Sequence, residues 1–527
     1  MKPGFFHILS RSISFERRSF IQLALVIMVL ATVITGSLLT GDSVRNSLRS
    51  SSFQRLGNTG ILISSGLRYF DPSVAGRLSE KTGAKTAGLL ELSGSCQNFA
   101  SGQSAQAVTL LAIDKDFFRF QGDDTIIVGK GEVALNEKLA AYLGLKPGDD
   151  IIIHFSPISA VPLNAPFSPG QSEAESIALK VGSILSPLQS GNFSLAISQI
   201  DPLNIFVNRS DLSDSKGATP WINKILLEKA SSLSVLKANQ ILKEIIVPED
   251  IGLNMNYSKK SNSYELISDR IFLDQSLVDS LRKAFPASWP VITYLGNSFR
   301  LRNKSTPYSF ISALPPELYP GIPSGNEIII NQWLADDLGA LKGDTLKVSW
   351  YSANALNNLV EKDTVFVVSE IQANNGPLAD SLLMPLFPGI AGRETCSGWD
   401  AGKYVNTELI RKKDEDYWNR YRGTPKAFIN YETGRRLWGN NFGPATALRF
   451  DHNATEKQIR SALRGKLDPG ITGFVVTNIR DESKRAASSG VDFSTLFLSL
   501  GFFMISSSVL LLVLVLASYF ESKRKEV

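Results

Sequence analysis

The stretch Asn136-Glu137-Lys138-Leu139-Ala140-Ala141-Tyr142-Leu143-Gly144-Leu145-Lys146-Pro147-Gly148-Asp149 organises the reading of this chain, because its pattern returns from Asn331 to Asp344 at a constant offset of 195. The second copy reads Asn331-Gln332-Trp333-Leu334-Ala335-Asp336-Asp337-Leu338-Gly339-Ala340-Leu341-Lys342-Gly343-Asp344, and seven of the fourteen positions are identical. Each copy follows an apolar run that ends at Asn136 or Asn331, a residue type that caps helix N-termini. Leu139 and Leu143, and likewise Leu334 and Leu338, are spaced to share one helical face. Gly144 and Gly339 suit a left-handed C-terminal cap. Gly148-Asp149 and Gly343-Asp344 predict a tight turn. Strands are expected next at 151–155 and 345–350. After insertions of different length, further strands are expected at 179–185 and 365–371. The repeat units, about 130–185 and 325–372, therefore read as strand–helix–turn–strand–strand, a small β-rich subdomain.

Outward from the repeat the pattern is mixed. Residues 60–64, 107–114, 263–273, 446–450 and 473–479 read as strands, and 231–246, 275–285 and 455–467 as helices. Pro- and Ser-rich stretches at 156–170 and 186–194 read as loops. The expected fold class is an α+β extracytoplasmic domain with an internal repeat, flanked by two transmembrane α-helices.

The flanks are the two long apolar segments, 19–41 and 493–520, which carry no charged residue. Helices of that length cross a hydrocarbon core of roughly 30 Å at ~1.5 Å per residue. Lys2, Arg11, Arg17 and Arg18 precede the first segment; Lys523, Arg524 and Lys525 follow the second. Basic flanks at both ends predict two cytoplasmic termini, with 42–492 outside the cytoplasm. Residues 5–15 read as a short amphipathic helix on the inner membrane face. A cleaved signal peptide fits less well, although Arg17-Arg18-Ser19-Phe20-Ile21 resembles a twin-arginine signal. The apolar run exceeds the usual ~7–15 residues and no Ala-x-Ala site follows.

A net charge of +5 on 527 residues gives no reason to expect a nucleic-acid partner. The outer region is long enough for two or three lobes. The two cysteines, Cys96 and Cys396, form no CxxC motif, so a zinc ribbon is excluded. An oxidising compartment permits a bridge between them if the lobes bring them together. The three histidines, His7, His154 and His452, have no metal-ligand spacing. No Walker A loop and no Gly-x-Ser-x-Gly elbow exists. Asp414-Glu415-Asp416 beside Tyr417 and Trp418 raises a carboxylate pair, but acids in the first turn of a surface helix explain it more cheaply. Residues 382–390 read as a buried loop closing the second lobe. No catalytic, cofactor-binding or metal residue is expected. Trp399, Tyr417, Trp418 and Arg422 are the candidates for partner contact.

Residues 18–49 form an arginine-flanked apolar helix ending in Thr40-Gly41-Asp42-Ser43-Val44-Arg45-Asn46-Ser47-Leu48, and residues 493–526 run from apolar helix into a Lys/Arg-rich end with a Glu. With the Asn…Leu-Ala…Leu-Gly…Gly-Asp unit, these resemble FtsX/MacB-type ABC transporter permeases, N-terminal half. Asp380-Ser381-Leu382-Leu383-Met384-Pro385-Leu386-Phe387-Pro388-Gly389, Trp399-Asp400, Tyr417-Trp418, the run from Arg422 to Phe428 and Trp438…Phe442-Gly443 resemble a subgroup of large bacterial permeases with an enlarged outer domain. The resemblance implies a non-catalytic permease subunit in the inner membrane, its main domain periplasmic. A separate cytoplasmic ABC-type ATPase subunit would hydrolyse ATP, and the membrane helices would pass its motion to the outer domain. Members of the family continue with further membrane helices beyond the position of Glu526, so a split subunit or truncated half is expected, with a second permease half or copy and the lipid bilayer as partners. The rival reading is a doubly membrane-anchored binding or adhesion protein without an ATPase.

Overall fold

The computed structural model describes residues 6, 11, 13–15, 17–66, 68–156, 161, 175–198, 200–212, 221–229, 233–353, 359–387, 389–399, 405–464, 467–489, 499 and 501–524. The expected inner-face helix at 5–15, the loop at 156–170 and the opening of the second apolar segment at 493–500 lie largely outside these residues. The chain divides into two units. One comprises Met1–Gly57, Asn192–Pro202 and Asn478–Val527; the other comprises Asn58–Gly191 and Leu203–Thr477.

In the first unit, a single helix runs from Arg17 to Leu56. The apolar segment 19–41 is its first half, and the helix does not stop at Gly41. Its 40 residues span about 60 Å, roughly twice a hydrocarbon core. Among the described residues, Phe20–Leu56 is the one helix long and apolar enough to cross a membrane. Its apolar side chains are solvent-facing, with Ile21, Leu25, Met28 and Leu39 all exposed. The helix Phe502–Arg524 packs against it, as does Ile479–Ser489. The apolar part of the former, Phe502–Ser518, is shorter than a crossing length. Three ties hold the C-terminal end of the long helix. Arg480 donates to the Gly57 carbonyl and lies over the Phe53 ring, 5.2 Å from its centroid. Arg55 donates to the Ile200 carbonyl at 3.1 Å, and the Ser194 N–H donates to the Arg55 carbonyl at 3.1 Å.

The second unit is built on two nine-stranded sheets. The first half of its sequence contributes β1 (Thr59–Ser64), β2 (Thr86–Asn98), β3 (Ser104–Ile113), β4 (Glu132–Asn136), β5 (Asp150–Phe155), β6 (Glu175–Leu185), β7 (Asn204–Asn208), β8 (Lys224–Glu228) and β9 (Leu253–Ser258). The second half contributes β10 (Ser263–Ser268), β11 (Ser288–Leu301), β12 (Lys304–Leu314), β13 (Glu327–Asn331), β14 (Thr345–Ala353), β15 (Leu359–Gln372), β16 (Ala427–Asn430), β17 (Ala447–Phe450) and β18 (Val475–Asn478).

Six strands of each half close into a barrel. The first ring runs β2-β3-β7-β4-β6-β5 and back to β2. Pairing is parallel at β3–β7 and β4–β6 and antiparallel elsewhere. The second ring runs β11-β12-β16-β13-β15-β14 and back to β11, parallel at β12–β16 and β13–β15 and antiparallel elsewhere. Order and polarity are the same in both. Closure removes free strand edges and lets alternate side chains fill the interior. In β5 the inward Ile151, Ile153 and Phe155 are buried.

The strand–helix–turn segments sit alike in the two rings. The Asn136 carboxamide oxygen accepts from the Leu139 N–H at 3.3 Å, and that of Asn331 from the Leu334 N–H at 2.9 Å. Leu139, Leu143, Leu334 and Leu338 are buried, and Gly144 and Gly339 end their helices at φ of 65° in both cases. Gly148 and Gly343 donate to Val181 and Val368 at 2.7 Å, and the Asp149 and Asp344 carboxylates close the turn by accepting from Lys146 and Leu341.

β2 and β11 are long enough to serve two sheets. Their C-terminal halves belong to the barrels; their N-terminal halves pair β8 and β17, which carry the sheets on to β1 and β10. The last strand of each half then crosses over: β9 pairs β10, and β18 neighbours β1. One apolar core is drawn from both halves, including Ile63, Leu78, Leu242, Leu266, Leu281, Phe450, Ile459 and Phe474. β11 and β12 carry Pro290, Gly296 and Pro307, breakers by local propensity, and tertiary pairing overrides them.

Replacing Asn136 by Ala removes a helix cap and strands the buried Asn204 N–H, which donates to the same oxygen at 3.1 Å. The expected loss is about 2–3 kcal/mol, read as a lowered denaturant midpoint with an unchanged slope.

Candidate functional site

The two barrels differ most in one connection. From β6 to β7 the first barrel uses residues 186–203; from β15 to β16 the second uses 373–426. The longer segment contains the single turns Ser381–Leu383, Cys396–Gly398 and Thr407–Leu409 and the helix Lys412–Tyr421. That helix starts because the Asp414 carboxylate accepts from the Arg411 N–H at 3.0 Å. It ends at Arg422, which takes a φ of 53°.

This segment builds a small aromatic pocket lined in part by Phe310, Cys396, Trp399, Tyr417, Trp418 and Lys426. Trp399 and Trp418 meet edge to face with centroids 5.1 Å apart. Trp418 donates to the Arg393 carbonyl at 3.2 Å, and Arg422 to that of Glu394 at 3.0 Å. Of the four residues expected to face a partner, Trp399, Tyr417 and Trp418 are buried wall and only Arg422 is exposed. The reason is that the segment folds back on the barrel and uses its aromatic rings as core. The loop 382–390 is buried as expected, through Leu383, Phe387 and Ile390.

Lys426 occupies the centre. It is 4% exposed, and its Nζ lies 3.9 Å from the Trp333 ring centroid, 4.6 Å from that of Tyr417 and 3.9 Å from Asp414 Oδ1. Cation–π contact and one carboxylate compensate only part of its lost hydration, and burial pushes its pKa down to about 8. Asp414, expected on a surface helix turn, is buried here and accepts from Arg411, which also reaches Asp337 at 2.6 Å. Glu415 accepts from the Cys396 N–H at 3.1 Å.

Cys396 and Cys96 are free and lie in the cores of different barrels, so the bridge allowed by an oxidising compartment is not formed. Burial, then the Glu415 charge, raises the Cys396 thiol to about 12, and burial raises Cys96 to about 11. Neither is a thiolate nucleophile at neutral pH. The pocket's free volume of about 20 Å³ has room for one water. Among the described residues no cluster of His, Cys, Asp and Glu has metal-binding geometry. His154 bonds Ser176 Oγ across β5–β6 at 2.7 Å and is a strand residue. The contacts here tie the helix Lys412–Tyr421 to the barrel through Asn331 and Asp337. Lys426 escaped the sequence reading because lysines are rarely buried; the only signal was its place directly before an apolar strand.

No family model matches the chain, and no curated protein matches it. Among solved structures it is similar to the periplasmic region of MacB from Actinobacillus actinomycetemcomitans, at 14% identity over 37% of this chain and 85% of that one, with a TM-score of 0.25. It is also similar to the extracellular domain of the noncanonic ABC-type transporter YknZ from Gram-positive bacteria, at 15% identity over 35% of this chain and 93% of that one, TM-score 0.23. Each likeness is to a part of this chain.

Lys426 sets a pH dependence. Its folded pKa lies below the unfolded value near 10.5, so the unfolded state binds more protons between about pH 8 and 10.5 and stability rises with pH there. The expected gain is at most on the order of 3 kcal/mol. Lys426→Met keeps the stem and removes the charge; the raised Cys96 and Cys396 thiols act on both proteins alike, so the stability difference, wild type minus variant, is expected to rise across that window.

Proposed function

We propose that this chain is the extracytoplasmic, membrane-anchored subunit of an ABC transporter-like permease and has no catalytic activity of its own. One observation carries the reading. The apolar helices from the two ends of the chain pack on each other, and the long one continues far past a membrane's thickness, where Arg480, Ser194 and the Ile200 carbonyl grip its end. A rigid rod gripped at one end and anchored at the other suits transmission of motion. The absence of a reactive constellation among the described residues is compatible with this role. In this reading Phe502–Ser518 belongs to a second membrane helix extending back to 493, both termini are cytoplasmic, and a cytoplasmic ATPase supplies the motion. A second permease half or copy completes the membrane part.

The outer region is read as a duplicated unit larger than the repeat seen in the sequence. Support comes from the matched barrels and from details outside them. Isolated bridges join Phe70 to Ile222 and Leu273 to Ala445. Single turns starting at Pro248 and Pro469 both end on a left-handed glycine, Gly252 and Gly473.

Co-purification of the tagged chain with an ATP-binding subunit tests the main reading. Once such a complex is in hand, a flexible Gly/Ser insertion at 486–490 is expected to abolish outer-domain movement driven by ATP, read as a change in spin-label distances. Intact coupling with the insertion present would remove the lever. The absence of any ATPase partner, with the chain still at the membrane surface, would favour the binding or adhesion alternative. Arg480→Ala, which removes both the Gly57 and the Phe53 contact, is expected to reduce coupling at least several-fold, with the outer domain still folded by circular dichroism.

A further inference from the structure

Glu265, Arg449 and Asp380 form an ion cluster with almost no access to water. Their side chains are 0%, 5% and 6% exposed. The Arg449 guanidinium donates to Glu265 Oε2 at 2.6 and 3.0 Å and to Asp380 Oδ2 at 3.0 Å. Ser258 Oγ donates to the same Asp380 oxygen at 2.8 Å, and the other Asp380 oxygen accepts from the Leu382 N–H at 3.0 Å. Four pieces of chain therefore meet. Glu265 is on β10 and Arg449 on β17. Ser258 is on β9, the strand supplied by the other half. Asp380 opens the 380–389 stretch of the segment that builds the aromatic pocket.

Among the described residues, the first half has no such cluster. Glu265 pairs with Arg449 across β10–β17, and the residue pair at the same distance from the isolated bridge in β1–β8 is Leu62 with Leu226. An apolar pair satisfies the fold at that position, so the charges are not required to close the sheet.

The charges also do not balance. Two carboxylates face one guanidinium, and Glu265 Oε1 is buried with no hydrogen-bond partner. The charged groups acting on Glu265 are Arg449, which favours its ionised form, and Asp380, which opposes it. On the neighbouring elements, Ser258 and Ser263 are neutral, and Lys260 is exposed and donates to the Asn375 carbonyl at 2.9 Å. A neutral carboxyl with an unpartnered oxygen costs far less to bury than a carboxylate.

We propose that the cluster is a proton-operated latch: Glu265 holds a proton while the stretch from Asp380 to Phe387 is locked onto β9, and loss of that proton releases Asp380 and loosens that stretch. The proton leaves from Glu265 Oε1 to solvent, and the cluster's charge changes from zero to −1. Asp380, the member on a loop rather than in a strand, is the one free to move. The buried carboxyl's raised affinity for protons, caused mainly by burial, agrees in direction. The latch works in the same way whether or not the chain drives transport.

The sign is fixed by linkage. A carboxyl that binds its proton more tightly in the folded state lowers stability as pH rises from the unfolded value near 4.5 through the folded value. The test uses the full chain in detergent, wild type and Glu265→Gln, between pH 5 and 8, below the window in which Lys426 titrates. Wild type is expected to lose roughly 2–4 °C or more of Tm across this range relative to the variant. Tryptic cleavage at exposed Arg393, as a wild-type to variant rate ratio, is expected to rise several-fold. An infrared protonated-carboxyl band present at pH 5 in wild type should be missing from Glu265→Gln. Should that variant fail to fold, the Glu265→Leu/Arg449→Leu/Asp380→Asn triple variant, which copies the Leu62–Leu226 pair and removes the carboxylate that would otherwise be left unpaired, serves instead and is expected to lack the wild-type loss of Tm between pH 5 and 8. Parallel Tm and cleavage profiles, with no carboxyl band lost, would overturn the proposal.

Discussion

The two-sheet unit depends on a reciprocal exchange of strands. β9 leaves the first half of the sequence to pair with β10, and β18 returns from the far end of the second half to lie beside β1. Neither half closes an α/β sheet alone, and the core beneath the sheets takes side chains from both. Bringing such distant strands together adds only a logarithmic entropy cost in chain length, whereas each fully buried Leu or Ile contributes about 1.5–3 kcal/mol. Burial therefore dominates, and the two halves act as one body. In the other unit, Gly57 and Arg480, the residues just before β1 and just after β18, are bonded to each other. The same long-range closure thus recurs at the base of the terminal helices.

The two barrels share strand order and differ in what fills them. The first fills its interior mostly with aliphatic side chains, together with Phe155 and Cys96. The second carries the 373–426 segment, whose tryptophans and tyrosine enlarge the core and enclose Lys426. Burying an ammonium there is costly, and the stacked rings and Asp414 offset only part of that cost. The free volume beside it is about that of one water. The Glu265–Arg449–Asp380 cluster is the second place where charge replaces what the other half does with leucine. Both departures involve the connection from β15 to β16, which meets the barrel at Lys426 and meets β9, β10 and β17 at Asp380.

Much of the local structure was legible. The capping Asn136 and Asn331, the Leu spacing and the terminal Gly144 and Gly339 are short-range signals, and the helices they mark form where the pattern places them. Strands such as β5, β14 and β17 were visible as apolar alternation or short apolar runs. The burial of Trp399, Tyr417 and Trp418 was not legible, because aromatic residues in a loop-rich stretch read equally as surface contacts or as core. β11 and β12 were hidden by Pro290, Gly296 and Pro307, whose local cost is outweighed only once neighbouring strands are in place.

The sequence by itself determined the apolar ends, the doubled strand–helix–turn unit and the lack of any recognisable catalytic motif, because each depends on residues close together in the chain. Tertiary structure alone decided that the end of the long helix is tied to Ser194, Ile200 and Arg480, that the two strand–helix–turn segments sit within closed barrels, and that β9 and β18 trade places. It also decided that Glu265, Arg449 and Asp380 share one dry site. Those facts rest on contacts between residues far apart in the chain, and the free energy that selects them is the burial of apolar surface and charge, which no local pattern encodes.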